Sequence, residues 1–236
     1  GVDRDHQIYD AARGAGNDKS WAANTQYKPA SQDADQYGYL SAFTSDGFTL
    51  TSGTAGSGNN DIYTNDNGQT YLSWNWDCGT AAATASTDGT ITPSAQWVNA
   101  TAGFSITKFE GTGANATVGH GLGAKPGLII VKPLENNNNN VVKFVDGFGT
   151  NDYVYLNSNA AKATYSTTWN SDPTNTVVGL GTHDNYNNDD EDHIMYCWAP
   201  IPYYSSFGQY EGTGDTNGRW IYTGFLPKWI IFKTLD

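Results

Sequence analysis

An all-β fold arranged as a sandwich follows from three observations. Short runs rich in β-branched and aromatic residues recur along the 236-residue chain. Clusters of Gly, Asn, Asp and Ser punctuate them, as turns require. Helical spacing of apolar residues is nowhere sustained beyond a single turn near residues 9–12.

Taken in order, the first run is 47–51 (GFTLT), where Phe48 and Leu50 alternate with threonines that favour a pleated surface. Residues 70–76 (TYLSWNW) follow, with aromatic side chains on both sides of the alternation. The runs 103–107 (GFSIT), 129–132 (IIVK) and 141–145 (VVKFV) are β-branched, and 153–156 (YVYL) and 176–178 (TVV) continue the pattern. Residues 193–198 (HIMYCW) form a further run rich in large and aromatic side chains. The last two runs are 220–222 (WIY) and 229–232 (WIIF). Between 129–132 and 141–145 lies a tract of five asparagines, 136–140, read as a hairpin loop because Asn tolerates left-handed backbone and caps turns.

Composition narrows the function. Twelve basic against 24 acidic residues give a net charge of -12, and Lys and Arg never cluster beyond a pair. Such a chain repels phosphate backbones and anionic headgroups, so nucleic acid is a poor partner. Membrane insertion is not expected either, because the longest apolar run, near 229–232, is far short of the roughly 18 residues of a spanning helix. Cys78 and Cys197 lack CxxC spacing, which leaves two buried thiols or one long-range disulfide.

An internal repeat sets the domain organisation. The segment FEGTG at 109–113 recurs as YEGTG at 210–214, and the run ending at Lys132 recurs in the run ending at Lys233. Both anchors share an offset of 101. A further pair, 71–76 and 193–198, matches Trp76 to Trp198. The reading is an incomplete unit at 1–80, a linker of small and polar residues at 81–102, a complete unit at 103–206, and the first strands of a further unit at 207–236. A sandwich lacking strands exposes open edges. Residues 207–236 could complete 1–80 in the same chain or in a neighbouring subunit by strand exchange, or the chain could be part of a longer array. The strands offered for such contact are Trp220, Ile221, Tyr222, Trp229, Ile230, Ile231 and Phe232.

Several motifs hold the ordered set together: Gly103-Phe104-Ser105-Ile106 leading to Glu110-Gly111-Thr112-Gly113, Val118-Gly119-His120-Gly121-Leu122-Gly123, Tyr196-Cys197-Trp198-Ala199 and Tyr9-Asp10-Ala11-Ala12-Arg13. With Trp169-Asn170 and Pro173-Thr174, this set resembles repeat-bearing virion proteins of marine tailed phages, tail-fibre or capsid-associated. The resemblance implies a jelly-roll or concanavalin-like sandwich displayed on the virion surface. It implies assembly with copies of itself, as a homo-oligomer, and with other virion proteins. It carries over no catalytic residue and no cofactor.

The remaining motifs agree with a non-enzymatic reading. His6, His120, His183 and His193 fit no zinc spacing, no GxSxG elbow occurs, and the glycine-rich loop around His120 runs into Pro126, without the Ser or Thr and the helix of a phosphate loop. Five carboxylates fall within 184–192. Asp184, Asp189, Asp190 and Asp192 are therefore candidate calcium ligands, weighed against a solvated loop. Trp21, Trp97, Trp169 and Tyr186 are candidates for stacking on a host-surface glycan, the basis of an alternative receptor- or carbohydrate-binding reading. Core packing competes for the same four aromatics.

Overall fold

The computed structural model describes residues 5–29, 34–56, 62–81 and 85–236. The fold is all-β. Its elements in chain order are β1 (Gln7–Ile8), β2 (Trp21–Ala22), α1 (Ala34–Tyr37), β3 (Tyr39–Phe43), β4 (Phe48–Thr51), β5 (Ala95–Asn99), β6 (Phe104–Glu110) and β7 (Ala116–Gly119). They continue as β8 (Leu128–Pro133), β9 (Val141–Phe144), β10 (Asp152–Tyr155), β11 (Ala163–Thr164), β12 (Val177–Leu180), α2 (Asp184–Asn187) and β13 (Asp192–Trp198).

Seven strands form one antiparallel sheet in the order β11-β10-β9-β8-β13-β6-β5. The chain-terminal strand of the unit, β13, thus sits between β6 and β8, with Tyr196 opposite Ile106 on one side and Ile130 on the other. Side chains alternate across this sheet with period two. On the inner face Phe109, Ile129, Val131, Val141, Met195 and Cys197 pack beneath a two-stranded layer of β7 and β12. On the outer face Phe104, Ile106, Ile194 and Tyr196 pack against the N-terminal segment through Trp21.

That N-terminal segment is held by buried polar bonds. The Trp21 Nε1–H donates to the Tyr196 hydroxyl at 3.0 Å, and the hydroxyl donates to the Asp10 carboxylate at 2.6 Å. Asp10 also accepts from Arg13 Nε at 2.6 Å. Burial alone pulls the Arg13 guanidinium down, but the neighbouring Tyr196 and Asp10 oppose it and the net shift is upward. Burial, reinforced by Asp10, keeps the Tyr196 phenol protonated well past its usual range. Beside this network the asparagine loop grips the same segment. Asn140 Nδ2 donates to the carbonyls of Ala23 and Thr25, Asn137 accepts from the Lys28 amide, and the Lys132 amine donates to the carbonyls of Gln26 and Asn138 at 2.9 Å each.

Several elements differ from the sequence pattern. Residues 70–76, 220–222 and 229–232 have strand composition but form no strand, because a strand requires a hydrogen-bonded neighbour and none lies beside them among the described residues. Within the presumed linker 81–102, residues 95–99 are β5, the edge strand paired to β6. Gln96 explains why this polar stretch holds there: its side chain bonds Thr107, the Gly119 carbonyl and the Ser86 amide. Cys78 and Cys197 are free and buried, and they lie on opposite faces of the large sheet, which rules out a bridge between them.

Two outcomes follow. Tyr196→Phe removes the hydroxyl that joins Trp21 to Asp10 and leaves both partners short of a bond, so denaturant melts should show a loss of about 1–3 kcal/mol. Lys132 has no exposed surface, and desolvation lowers its amine to about 7, so the folded chain carries it neutral where the unfolded chain still binds the proton. Stability should therefore rise between about pH 7 and about pH 8.5 by on the order of 1 kcal/mol, with the gain missing in Lys132→Met.

Candidate functional site

The folded unit and the flanking segments differ in what they leave exposed. Among the described residues, every large apolar side chain that stands exposed lies outside 103–202, with the single exception of Tyr165. Those outside include Tyr71, Leu72, Trp74 and Trp76 of the first partial copy, and Trp220, Tyr222, Trp229 and Ile230 to Phe232 of the second. Ile230 is 57% exposed and Phe232 68%, while Ile129 and Val131, their counterparts in the complete copy, are 0% exposed. The same kind of sequence is thus core in one copy and surface in the other.

An aromatic contact joins the two segments: the rings of Trp76 and Trp229 meet edge to face with centroids 6.2 Å apart, and Trp76 also touches Trp198, its own counterpart in the repeat, at 6.1 Å. Within the second segment Tyr210 and Phe232 are 6.1 Å apart. The end of the chain is tied to the edge of the large sheet: Leu235 accepts from the Lys162 amide at 2.7 Å, and Lys233 Nζ donates to the Ser158 carbonyl at 2.6 Å. A shallow cleft of about 400 Å³ lies there between Asn24, residues 156–159 and residues 232–234.

The glycines of the repeated EGTG motif report what each copy packs against. A Cβ on Gly111 would overlap the Asn188 carbonyl, and Gly113 holds a φ of 61° that favours glycine. Asn187 secures this turn by accepting from the Thr112 amide through its side chain and from Gly113 through its carbonyl. In the second copy Gly214 repeats the left-handed backbone at 70°, yet a Cβ on Gly212 would meet nothing within 4 Å. The motif keeps its small residue where this chain supplies no close neighbour.

Three of the four predicted glycan-stacking residues are core residues. Trp21, Trp169 and Tyr186 are each at most 2% exposed, so they present no ring to a sugar. Trp169 stacks on Tyr186 at 5.2 Å and donates its Nε1–H to the Asp152 carbonyl, while the Tyr186 hydroxyl donates to the Thr167 carbonyl. Desolvation pushes the Tyr186 phenol upward. Trp97 is half-buried on β5 against the outer-face core.

The four aspartates are likewise not gathered into a ligand set. Asp184 opens α2, Asp190 lies in the turn with its amide bonded to the Gly111 carbonyl, and Asp192 begins β13 and pairs with Lys108. Among the described residues no three His, Cys, Asp or Glu side chains converge on one point.

Sequence reasoning placed the contact strands at 220–222 and 229–232, where the structure exposes them. It passed over Tyr71, Leu72, Trp74 and Trp76, although the match of Trp76 to the buried Trp198 is the signal that marks them as strand residues without a strand's neighbours.

A family model covers residues 2–236, that of a domain of unknown function, DUF7483. The chain belongs to the DUF7483 family. Because the match spans both the complete copy and the partial ones, the exposed aromatic segments are part of the DUF7483 region. Nothing matches among the curated proteins or among the solved structures.

The contrast between buried and exposed aromatics has a measurable consequence. In denaturant melts Trp169→Ala should lower the unfolding free energy by about 3–5 kcal/mol, whereas Trp220→Ala should leave it within about 0.5 kcal/mol of the parent.

Proposed function

We propose that this DUF7483 chain is a non-enzymatic structural component of a phage particle, a tail-fibre or capsid-decorating protein on the virion surface. It assembles with copies of itself and with other virion proteins. The observation that carries this reading is that, among the described residues, the exposed large apolar side chains lie outside residues 103–202 except for Tyr165. Contiguous apolar surface of this kind marks interaction sites in soluble proteins, and strand-like sequence with free main-chain groups adds a directional means of pairing. The motif resemblance to repeat-bearing virion proteins supports the setting, and the charge of -12 keeps densely repeated β surface soluble.

A receptor- or glycan-binding reading has one observation in its favour. Trp220 and Tyr222, both largely exposed, hold their rings 5.7 Å apart and offer flat apolar surface. A glycan array decides this alternative, with retention that Trp220→Ala abolishes as the supporting result.

Sedimentation velocity tests the assembly reading. Weight-average mass should climb with protein concentration well past that of one chain, and removal of residues 229–236 should reverse the climb while the thermal transition stays cooperative. A single-chain mass at every concentration would sink it.

A further inference from the structure

We propose that residues 229–234 of one copy add as an antiparallel strand to residues 71–76 of a second copy, with Trp229 opposite Trp76 and Ile231 opposite Trp74. This rests on the assembly reading and gives it a register.

The template is the complete copy. There β13 pairs with β8, Trp198 opposite Leu128, Cys197 opposite Ile129, Tyr196 opposite Ile130 and Met195 opposite Val131. Trp76 corresponds to Trp198, and Lys233 to Lys132 at an offset of 101. Carrying the register across places Trp76 opposite Trp229, Asn75 opposite Ile230, Trp74 opposite Ile231 and Ser73 opposite Phe232. Large residues then fall on one face as Leu72, Trp74, Trp76, Trp229 and Ile231, the faces that Ile194, Tyr196, Trp198, Leu128 and Ile130 take in the first sheet.

One ring contact agrees with that arrangement. Trp76 and Trp229, direct partners in the transferred register, already meet within one chain at 6.2 Å. No main-chain ladder joins 71–76 to 229–234 in the described residues. Two stretches of unpaired strand backbone with complementary faces remain.

A second copy supplies the pairing because the segment's own chain holds it elsewhere. Lys233 Nζ is bonded to Ser158 and the Leu235 carbonyl to the Lys162 amide, both at the edge of the seven-stranded sheet. The register instead calls for Lys233 opposite Leu72. Each copy carries one donor segment and one acceptor segment, so the contact is heterologous and propagates head to tail into a ring or a filament.

Disulfide trapping tests both register and partner. Copies bearing Asn75→Cys are mixed with differently tagged copies bearing Ile230→Cys, oxidised mildly, and resolved on a denaturing gel without reductant. Cys78 and Cys197 stay buried in every variant, and desolvation holds their thiols up, Cys78 at about 12. The expected product is a disulfide-linked pair carrying both tags. Pairing Asn75→Cys with Phe232→Cys, two residues out of register, should yield roughly tenfold less because the Cα atoms then exceed bridging distance. A bridge that forms only inside one chain, in the double variant Asn75→Cys/Ile230→Cys, would overturn the second-copy pairing. Equal trapping at both positions would overturn the register. Absence of trapping in a protein that sediments as an oligomer would overturn the strand pairing and leave assembly standing, and absence of trapping in a protein that sediments as a single chain would end both.

Discussion

The structure depends on one strand being covered on both sides. In β13 no alternate position is given to solvent: Ile194 and Tyr196 face outward into one apolar cluster, and Met195 and Cys197 face inward into another. A strand of this kind is stable only at the centre of a sheet that has a layer on each face. The inner layer comes from within the same repeat, as β7 and β12 with Trp169 and Tyr186. The outer layer comes from the N-terminal residues, nearly two hundred positions away in sequence, and the demands of β13 explain why a segment with so little regular structure is nevertheless well buried at Trp21 and Ala22.

Polar chemistry fixes where that outer layer sits. Apolar contact alone would let a short segment slide over a flat sheet, since burial is not directional. The chain Trp21–Tyr196–Asp10–Arg13 and the asparagine loop remove that freedom, because each buried group has one geometry that satisfies it. The Lys132 amine, whose proton affinity burial lowers, fits the same logic: even without its extra proton it keeps two hydrogens for the carbonyls of Gln26 and Asn138. Such a network specifies position at some cost in stability, and it ties a partial copy of the repeat to the complete one.

The repeat therefore appears in two energetic states. In the complete copy the Ile-Ile-x-Lys strand has neighbours on both edges and layers on both faces, and Gly111 is pressed against the Asn188 backbone. In the partial copies the matching segments expose their rings and backbone, and Gly212 faces open space. The residues are alike; what differs is whether the rest of the unit is present beside them. Strand-like sequence of that composition leaves apolar side chains and unpaired main-chain groups exposed together.

The sequence by itself determined the all-β class, the turn at the asparagine tract and most strands of the large sheet, because period-two patterning and turn chemistry are local. It also marked 220–222 and 229–232 as apolar strand material. Tertiary structure decided which of these runs become strands: β5, polar and short, joins the sheet because Gln96 finds three partners, while 70–76, far more strand-like in composition, finds no ladder. It likewise decided that Trp21, Trp169 and Tyr186 are core and that the aspartates of 184–192 are dispersed between a helix, a turn and a strand. The reason is common to all of them. Hydrogen-bond partners, burial and convergence of side chains are properties of neighbours distant in sequence, and a residue's own identity states only what it would do if such neighbours arrived.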